Sequence, residues 1–239
     1  MKSVAVIIPT TGSNEFSKCL DSVFNQTYSN IKVFAVVDGK EYSNIVNEIV
    51  AYSKATGDNF SLTLLPDNVG KNGFYGHRVF AAFTHLVNSD YVVYQDQDCF
   101  MDSNHIETMV KTIEENDLDW TYSLRKITTK DGKYICNDDC ESLGKWNPVM
   151  QYNHVDTNCY CIKTSVAIKI SQVWHGGWGQ DRVYYSTISQ YFPKFDCTGK
   201  YTMNYRIAGN DGSVKSEFFE QWNQKVNEIF EGKLPWRKV

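Results

Sequence analysis

After Met1-Lys2-Ser3 the chain runs apolar over 4–8 and stops at Pro9. A short β-rich run bounded in this way predicts a buried parallel strand. Thr10-Thr11-Gly12-Ser13-Asn14 reads as a loop, with Ser13 or Asn14 placed to cap a helix reaching Gln26. Phe16, Leu20, Val23 and Phe24 share one face of that helix. The rhythm then repeats. A strand over 31–37 closes at Asp38-Gly39, and a helix over 42–54 spaces Ile45, Ile49 and Tyr52 for burial. A strand over 60–65 leads into a loop over 66–70, a helix over 73–87, and a strand over 91–94 that ends in Gln95-Asp96-Gln97-Asp98. Four alternations of strand and helix predict an α/β fold, a Rossmann-like, mostly parallel sheet with helices on both faces. Right-handed crossovers put the strand C-termini along one edge, where such sheets bind ligands. The loops at that edge carry Thr10, Thr11, Asp38, Asp67, Asn68, Asp96 and Asp98.

Beyond Asp98 the pattern becomes mixed. A helix over 103–116 turns Ile106, Met109, Val110 and Ile113 inward, and 119–135 reads as one or two strands with a turn at Lys130-Asp131-Gly132. A loop-rich stretch over 136–158 comes next, then a strand over 159–163, a helix over 164–173, a Gly-rich loop over 174–180 and a helix over 181–190. Short strands and a final helix over 216–230 complete the chain. With no repeat, linker or low-complexity segment, the expectation is one domain over 1–239 with a nucleotide-binding first half and a mixed second half.

Charge narrows the classes. The net charge is −4, and the basic tail over 233–238 is diluted by Leu234, Pro235 and Trp236. A duplex binder needs clustered cations, so nucleic acid is a poor partner for this chain. No stretch approaches the ~20 apolar residues of a transmembrane helix, and 4–8 is short for a signal peptide; a cytoplasmic location is expected. The seven cysteines include Cys136-x3-Cys140 and Cys159-x-Cys161, which could join His154 or His175 around zinc. That spacing fits no common zinc module, and free reduced thiols are expected instead.

Asp96-Gln97-Asp98 carries the chemistry of the first half. Two carboxylates at i and i+2 after a buried strand can face one ion, and hard oxygens suit Mg²⁺ or Mn²⁺ bridged to a diphosphate. A bare D-x-D is more often a solvated acidic turn; its place after the fourth strand of an alternating series favours the metal reading. The surrounding motifs point the same way. Val4-Ala5-Val6-Ile7-Ile8-Pro9-Thr10-Thr11, the run from Cys19-Leu20-Asp21-Ser22 to Tyr28, Val36-Val37-Asp38-Gly39, Asp67-Asn68-Val69-Gly70 and Asp96-Gln97-Asp98 stand in order. Together they resemble a family 2 glycosyltransferase of the GT-A fold, over residues 4 to about 110.

The resemblance implies a nucleotide-diphosphate sugar donor, a UDP-sugar first among them, bound by the half over 1–100, and a glycan or other hydroxyl acceptor bound by the half over 101–239. Pro9, Thr10, Thr11 and Asp38 would line the base and ribose pocket, with Asn68, Gly70 and Lys71 near the base or diphosphate. Arg78, beside His77, falls where the family often carries a basic residue. Asp96 and Gln97 would meet the donor, and Asp98, with Asp96, would hold the metal. The family's D-D-G-S run is Val-Asp-Gly-Lys here, so one acidic contact to the base is missing.

His175-Gly176-Gly177-Trp178-Gly179-Gln180-Asp181-Arg182 is the second signal. Its glycines let backbone approach a ligand, Trp178 offers a flat face to a sugar ring, and Asp181 opens a helix whose dipole favours the carboxylate. On its own this could be a turn and a helix cap. It is similar to the Gly-Trp-Gly-Glu-Asp loop of inverting galactosyltransferases, which implies Asp181 as general base and Gly177, Trp178, Gly179 and Gln180 at the acceptor, Gln180 replacing the usual Glu. Many such relatives add a His to the metal from a late segment. Residues 201–210 contain none, leaving Asn204, Asn210 or water, with His154 and His175 as alternatives.

The expected activity is inverting, metal-dependent sugar transfer. Other readings are a non-catalytic glycan-binding protein on a transferase fold and a transferase acting on modified DNA bases. No G-G-x-G-T-R loop, G-x-G-x-x-G after a strand or Gly-Lys-Ser/Thr is present, which disfavours nucleotidyltransferase, dehydrogenase and P-loop chemistry.

Overall fold

A computed structural model describes residues 1–55, 57–207 and 214–237. Strand β1 (Val4–Thr10) is buried along its whole length. It pairs in parallel with β2 (Ile31–Val37) on one side and β4 (Tyr91–Tyr94) on the other, and β3 (Phe60–Leu64) extends the parallel set beyond β2. Coverage on both faces is why the central strands β1 and β4 are buried throughout, whereas the edge strand β3 alternates Phe-Ser-Leu-Thr-Leu. β1 outruns its expected end through Pro9 and Thr10. Past Ile7 its only partner is β2, so a residue without an N–H can sit in the strand there.

The helices between these strands are shorter than their patterns suggested. Helix α1 (Phe16–Phe24) buries Phe16, Cys19, Leu20 and Val23, but neither Ser13 nor Asn14 caps it; the Ser13 carbonyl accepts from the Phe16 amide instead. Helix α2 (Ser43–Ala51) follows a 3-10 turn at Lys40–Tyr42, which shifts its phase. Val46 is therefore the buried residue, while Ile45 is 43% and Tyr52 92% exposed. Helix α3 (His77–Phe83) starts four residues later than expected, because Asn72, Gly73 and Tyr75 have positive φ and form turns.

The second half continues the same sheet, in the order β3-β2-β1-β4-β8-β6-β9-β5. Strand β5 (Phe100–Met101) lies at the far edge, and helix α4 (His105–Asn116) buries Ile106, Met109, Val110 and Ile113 as their spacing requires. Strands β6 (Trp120–Thr128) and β7 (Tyr134–Asn137) form a hairpin about the expected turn. β8 (Tyr160–Lys163) runs antiparallel between β4 and β6, and β9 (Phe195–Arg206) is parallel to β6. β9 is twelve residues long where only short strands were expected. Its Thr-Gly-Lys centre reads as a break, and the β6–β9 register does shift opposite it. Helices α5 (Thr164–Ile170), α6 (Gln180–Tyr191) and α7 (Ser216–Ile229) complete the described elements.

Because β8 runs against β4, the residues just before β8 lie at the C-terminal end of β4. Asn158 thereby meets Asp96, 62 residues away in sequence. Among the described residues, no helix is long and apolar enough to cross a membrane. Cys19, Cys99, Cys136, Cys140, Cys159 and Cys161 are free thiols.

Candidate active site

A cleft of about 460 Å³ opens at the C-terminal edge of β1, β2 and β4. On its first wall, the Asp38 carboxylate accepts from the amides of Val69 (2.7 Å) and Gly70 (2.9 Å), so it holds the loop after β3. Burial raises the Asp38 pKa and these two amides oppose the rise. Only glycine fits at position 70: an added Cβ would lie 2.1 Å from the Tyr75 carbonyl oxygen and 2.7 Å from Asp38 Oδ2.

Gln97 ties the D-x-D turn to the loop after β1. Its Oε1 accepts from Thr10 Oγ1 (2.8 Å) and the amides of Thr11 (3.0 Å) and Ser13 (3.2 Å), and its Nε2 donates to Thr11 Oγ1 (3.1 Å). Asp96 is gripped by Asn158, which accepts from its amide at 2.6 Å and donates to its Oδ2 at 2.9 Å. Burial, followed by the charges of Asp98 and Asp156, pushes Asp96 up to about 8. Asp98 is raised too, by burial above all. Arg125 is buried and gives its three nitrogens to Asp138 (2.7 Å), Glu141 (2.7 Å) and Asp156 (2.6 Å). Its charge is therefore taken up by other acids. Asp96 and Asp98 thus form a hard-oxygen pair whose ionisation burial opposes. Among the described residues no group of three or more His, Cys, Asp or Glu could hold a metal ion. Two carboxylates in an open cleft fit a divalent ion that takes its remaining ligands from phosphate and water, as Mg²⁺ commonly does.

The Gly-rich loop and α6 build a further part of the lining. Trp174 is buried and stacks on Tyr184 of α6 at 4.0 Å. His77 Nδ1 donates to the Gly176 carbonyl at 2.9 Å, which ties the loop to α3. Gly179 has φ +80 at the start of α6, a conformation that favours glycine. Trp178 is 74% exposed at the cleft mouth. The Arg182 guanidinium lies 4.7 Å from its ring centre and 3.7 Å from that of Tyr152.

Asp181 lies in the first turn of α6, and it and Asp98 line the same cleft. Its Oδ2 accepts from His154 Nε2 at 2.6 Å, and its Oδ1 from the Arg182 amide at 2.9 Å. Burial would raise its pKa. The charge and hydrogen bond of His154, helped by the Arg182 amide, outweigh burial and hold the carboxyl at about 2. Burial likewise lowers the His154 pKa, but Asp181 outweighs it and the net direction is upward.

A family model described as "Glycosyl transferase family 2" matches residues 5–135, more than half of the chain. The chain belongs to glycosyl transferase family 2. Its curated relatives include glycosyltransferase GlyA of Streptococcus pneumoniae, 29% identical over 126 residues that make 48% of this chain and 16% of that protein. An N-acetylglucosaminyltransferase of Rhizobium sp. is 32% identical over 117 residues, 47% of this chain and 24% of that one. This family 2 chain therefore matches less than a quarter of either relative's length. Among solved structures, S. aureus TarS 1–349 in complex with UDP-GlcNAc superposes with a TM-score of 0.65 at 15% identity, covering 98% of this chain and 68% of that one. The same protein in complex with UDP gives 0.63 at 16% identity, covering 98% of this chain and 67% of that one. At these identities the likeness establishes the GT-A fold.

Within the family 2 frame, the cleft gathers Pro9, Thr10, Thr11, Asp38, Asn68, Gly70, Lys71, Asp96, Gln97 and Asp98 with Trp178, Gly179 and Asp181. Arg78, Gly177 and Gln180 are not on its wall, contrary to expectation. The Arg78 guanidinium lies 3.4 Å from the Phe74 ring centre and braces the Val69 carbonyl. Gln180 turns back to the Val173 carbonyl, and Gly177 abuts the Gly73 carbonyl. Of the further metal candidates, Asn204 donates to Asp102, His154 serves Asp181, and His175 packs beside Phe74; Asn210 lies outside the described residues. Arg125, Glu141, Asp156 and Asn158 went unread in the sequence. Arg125, next to Lys126 inside the largely buried strand β6, was the available signal that acids must face it.

Proposed function

We propose that this chain transfers a sugar from a nucleoside-diphosphate donor, UDP-linked sugars being the first choice, to an acceptor hydroxyl with inversion at the anomeric carbon. The observation that carries the reading is the presence of Asp98 and Asp181 on one cleft, although they are 83 residues apart in sequence. The UDP and UDP-GlcNAc complexes of the similarly folded TarS support the choice of donor.

In this reading Pro9, Thr10, Thr11 and Asp38 receive the nucleoside, while Asn68 and Lys71 reach toward the diphosphate. Asp96 and Asp98 hold Mg²⁺ or Mn²⁺, which when bound supplies Lewis-acid stabilisation of the charge growing on the departing diphosphate. Trp178 stacks on the acceptor ring, and Asp181, still ionised at neutral pH, takes the hydroxyl proton during attack. Residues 1–100 thus serve the donor and the second half the acceptor, although Asn158 crosses over to brace Asp96.

Asp181→Asn tests this reading. Turnover falls by about 10²–10⁴-fold, the usual contribution of a general base, while calorimetric binding of UDP is unchanged. Turnover equal to that of the unaltered enzyme removes Asp181 from the role.

A further inference from the structure

Asp181 is held on both oxygens before any substrate arrives, and its two holders differ. Arg182 donates through its backbone, as any residue there could. His154 donates through a side chain that comes from another part of the chain, 27 residues earlier. The imidazole is 5% exposed and the Asp181 side chain 24% exposed, and both line the cleft, the carboxylate being the more accessible of the two.

The protonation of His154 is set by its contacts. Nε2 sits 2.6 Å from a carboxylate oxygen, where two lone pairs would repel, so Nε2 carries hydrogen. Nδ1 is buried and has no hydrogen-bond partner. A bare Nδ1 tolerates that environment, whereas a protonated Nδ1 is a buried N–H with no acceptor. The ring can therefore work as a neutral donor through Nε2, and Nδ1 is the atom that titrates.

We propose that His154 is the positioning residue for Asp181, its neutral Nε2–H fixing the carboxylate so that a free lone pair points at the incoming hydroxyl. The inference rests on Asp181 being the base. In the step itself the acceptor oxygen bonds to the anomeric carbon and the bond from that carbon to the diphosphate oxygen breaks, its electron pair leaving with the diphosphate. The hydroxyl proton passes to Asp181, and His154 keeps its Nε2 hydrogen throughout. When Nδ1 is also protonated, the imidazolium locks Asp181 into an ion pair and makes it a weaker base.

The groups facing His154 are Asp181 from α6, Glu141 from the loop before β8, Arg125 from β6, and the Tyr152 ring at 6.3 Å. Glu141 is itself paired with Arg125 at 2.7 Å, which leaves Asp181 as the partner that sets the charge state of the ring. The His154 pKa is raised from 6.5, so the active, neutral form gains as pH rises through a value above 6.5. Turnover should therefore carry an acidic limb in that range, far above the titration of Asp181 itself.

Two variants test the proposal, with UDP binding measured alongside turnover. Glutamine places an amide N–H close to the histidine Nε2 and does not titrate. His154→Gln is expected to keep turnover at pH 8 within about 10-fold and to lose the limb above pH 6.5, whereas His154→Ala lowers kcat by about 10²-fold, the order of loss for a misplaced reacting group. The KM for donor and the affinity for UDP stay unchanged in both. Normal turnover in His154→Ala, an unshifted acidic limb in His154→Gln, or a folded His154→Gln as inactive as His154→Ala overturns the proposal, as does loss of UDP binding in either variant. Should Asp181→Asn retain full turnover, the base assignment fails. If that variant is inactive while His154→Ala turns over normally, the positioning role alone fails.

Discussion

The two walls of the cleft handle negative charge in opposite ways. On the proposed donor wall, Asp96 and Asp98 are half-buried close to each other and to Asp156, and desolvation with mutual repulsion drives Asp96 to about 8. On the acceptor wall, Asp181 is held at about 2 despite its burial, because His154 sits against it. One wall gathers acids whose ionisation burial opposes, and the other steadies its carboxylate with hydrogen bonds from His154 and the Arg182 amide. The difference sharpens the proposal: a divalent ion at Asp96 and Asp98 would complete the first wall, while Asp181 on the second already has its partner in His154.

Removing the proposed metal ion is the strongest way to break this comparison. Chelation in excess EDTA, or Asp98→Ala, lowers sugar transfer by about 10³-fold, the several kcal/mol a Lewis acid contributes at a leaving group. Full turnover in EDTA would mean that the donor wall needs no ion. Next comes Arg125→Met, which unpairs Asp138, Glu141 and Asp156 beneath the cleft. A buried charge cluster stripped of its partner loses about 3–5 kcal/mol, read by urea denaturation at pH 7; a loss below about 1 kcal/mol, the range of an exposed pair, would show that the acids relax into water. Gly70→Ala acts on the donor wall alone. Its Cβ cannot coexist with the Tyr75 carbonyl, so the loop must leave Asp38, and UDP affinity falls by about 10–100-fold, the contribution of one to two hydrogen bonds to a charged group. The smallest effect belongs to the acceptor wall. Trp178→Ala raises the acceptor KM by about 10-fold, the scale of one stacked ring, and leaves the donor KM alone. A change in donor KM instead would move Trp178 to the other wall.

Much of the first wall was legible in the sequence because it is written locally. Each strand ends in the polar residues that line the cleft, and the parallel order fixes where those ends meet, so Asp38, Asp96 and Asp98 could be placed from the strand rhythm and the family motifs. Asp181 was legible from the glycines and tryptophan before it. The supports were not, because each depends on a pairing over long sequence distance. His154 gains its meaning from a helix 27 residues on, and Asn158 from the reversed direction of β8, which no periodicity announces. Gln180 and Arg78 misled for the converse reason: polar side chains in a ligand loop can satisfy nearby backbone instead. The faces of α2 and the length of β9 were misread where a 3-10 turn and a register shift broke the ideal repeat.

The Gln97 amide joins the turn after β4 to the loop after β1 through four hydrogen bonds. Two segments more than 80 residues apart in sequence are thereby welded into one rigid body, and neither can swing without carrying the other. In the proposed reading, the nucleoside end of the cleft is consequently a preset cradle rather than a gate.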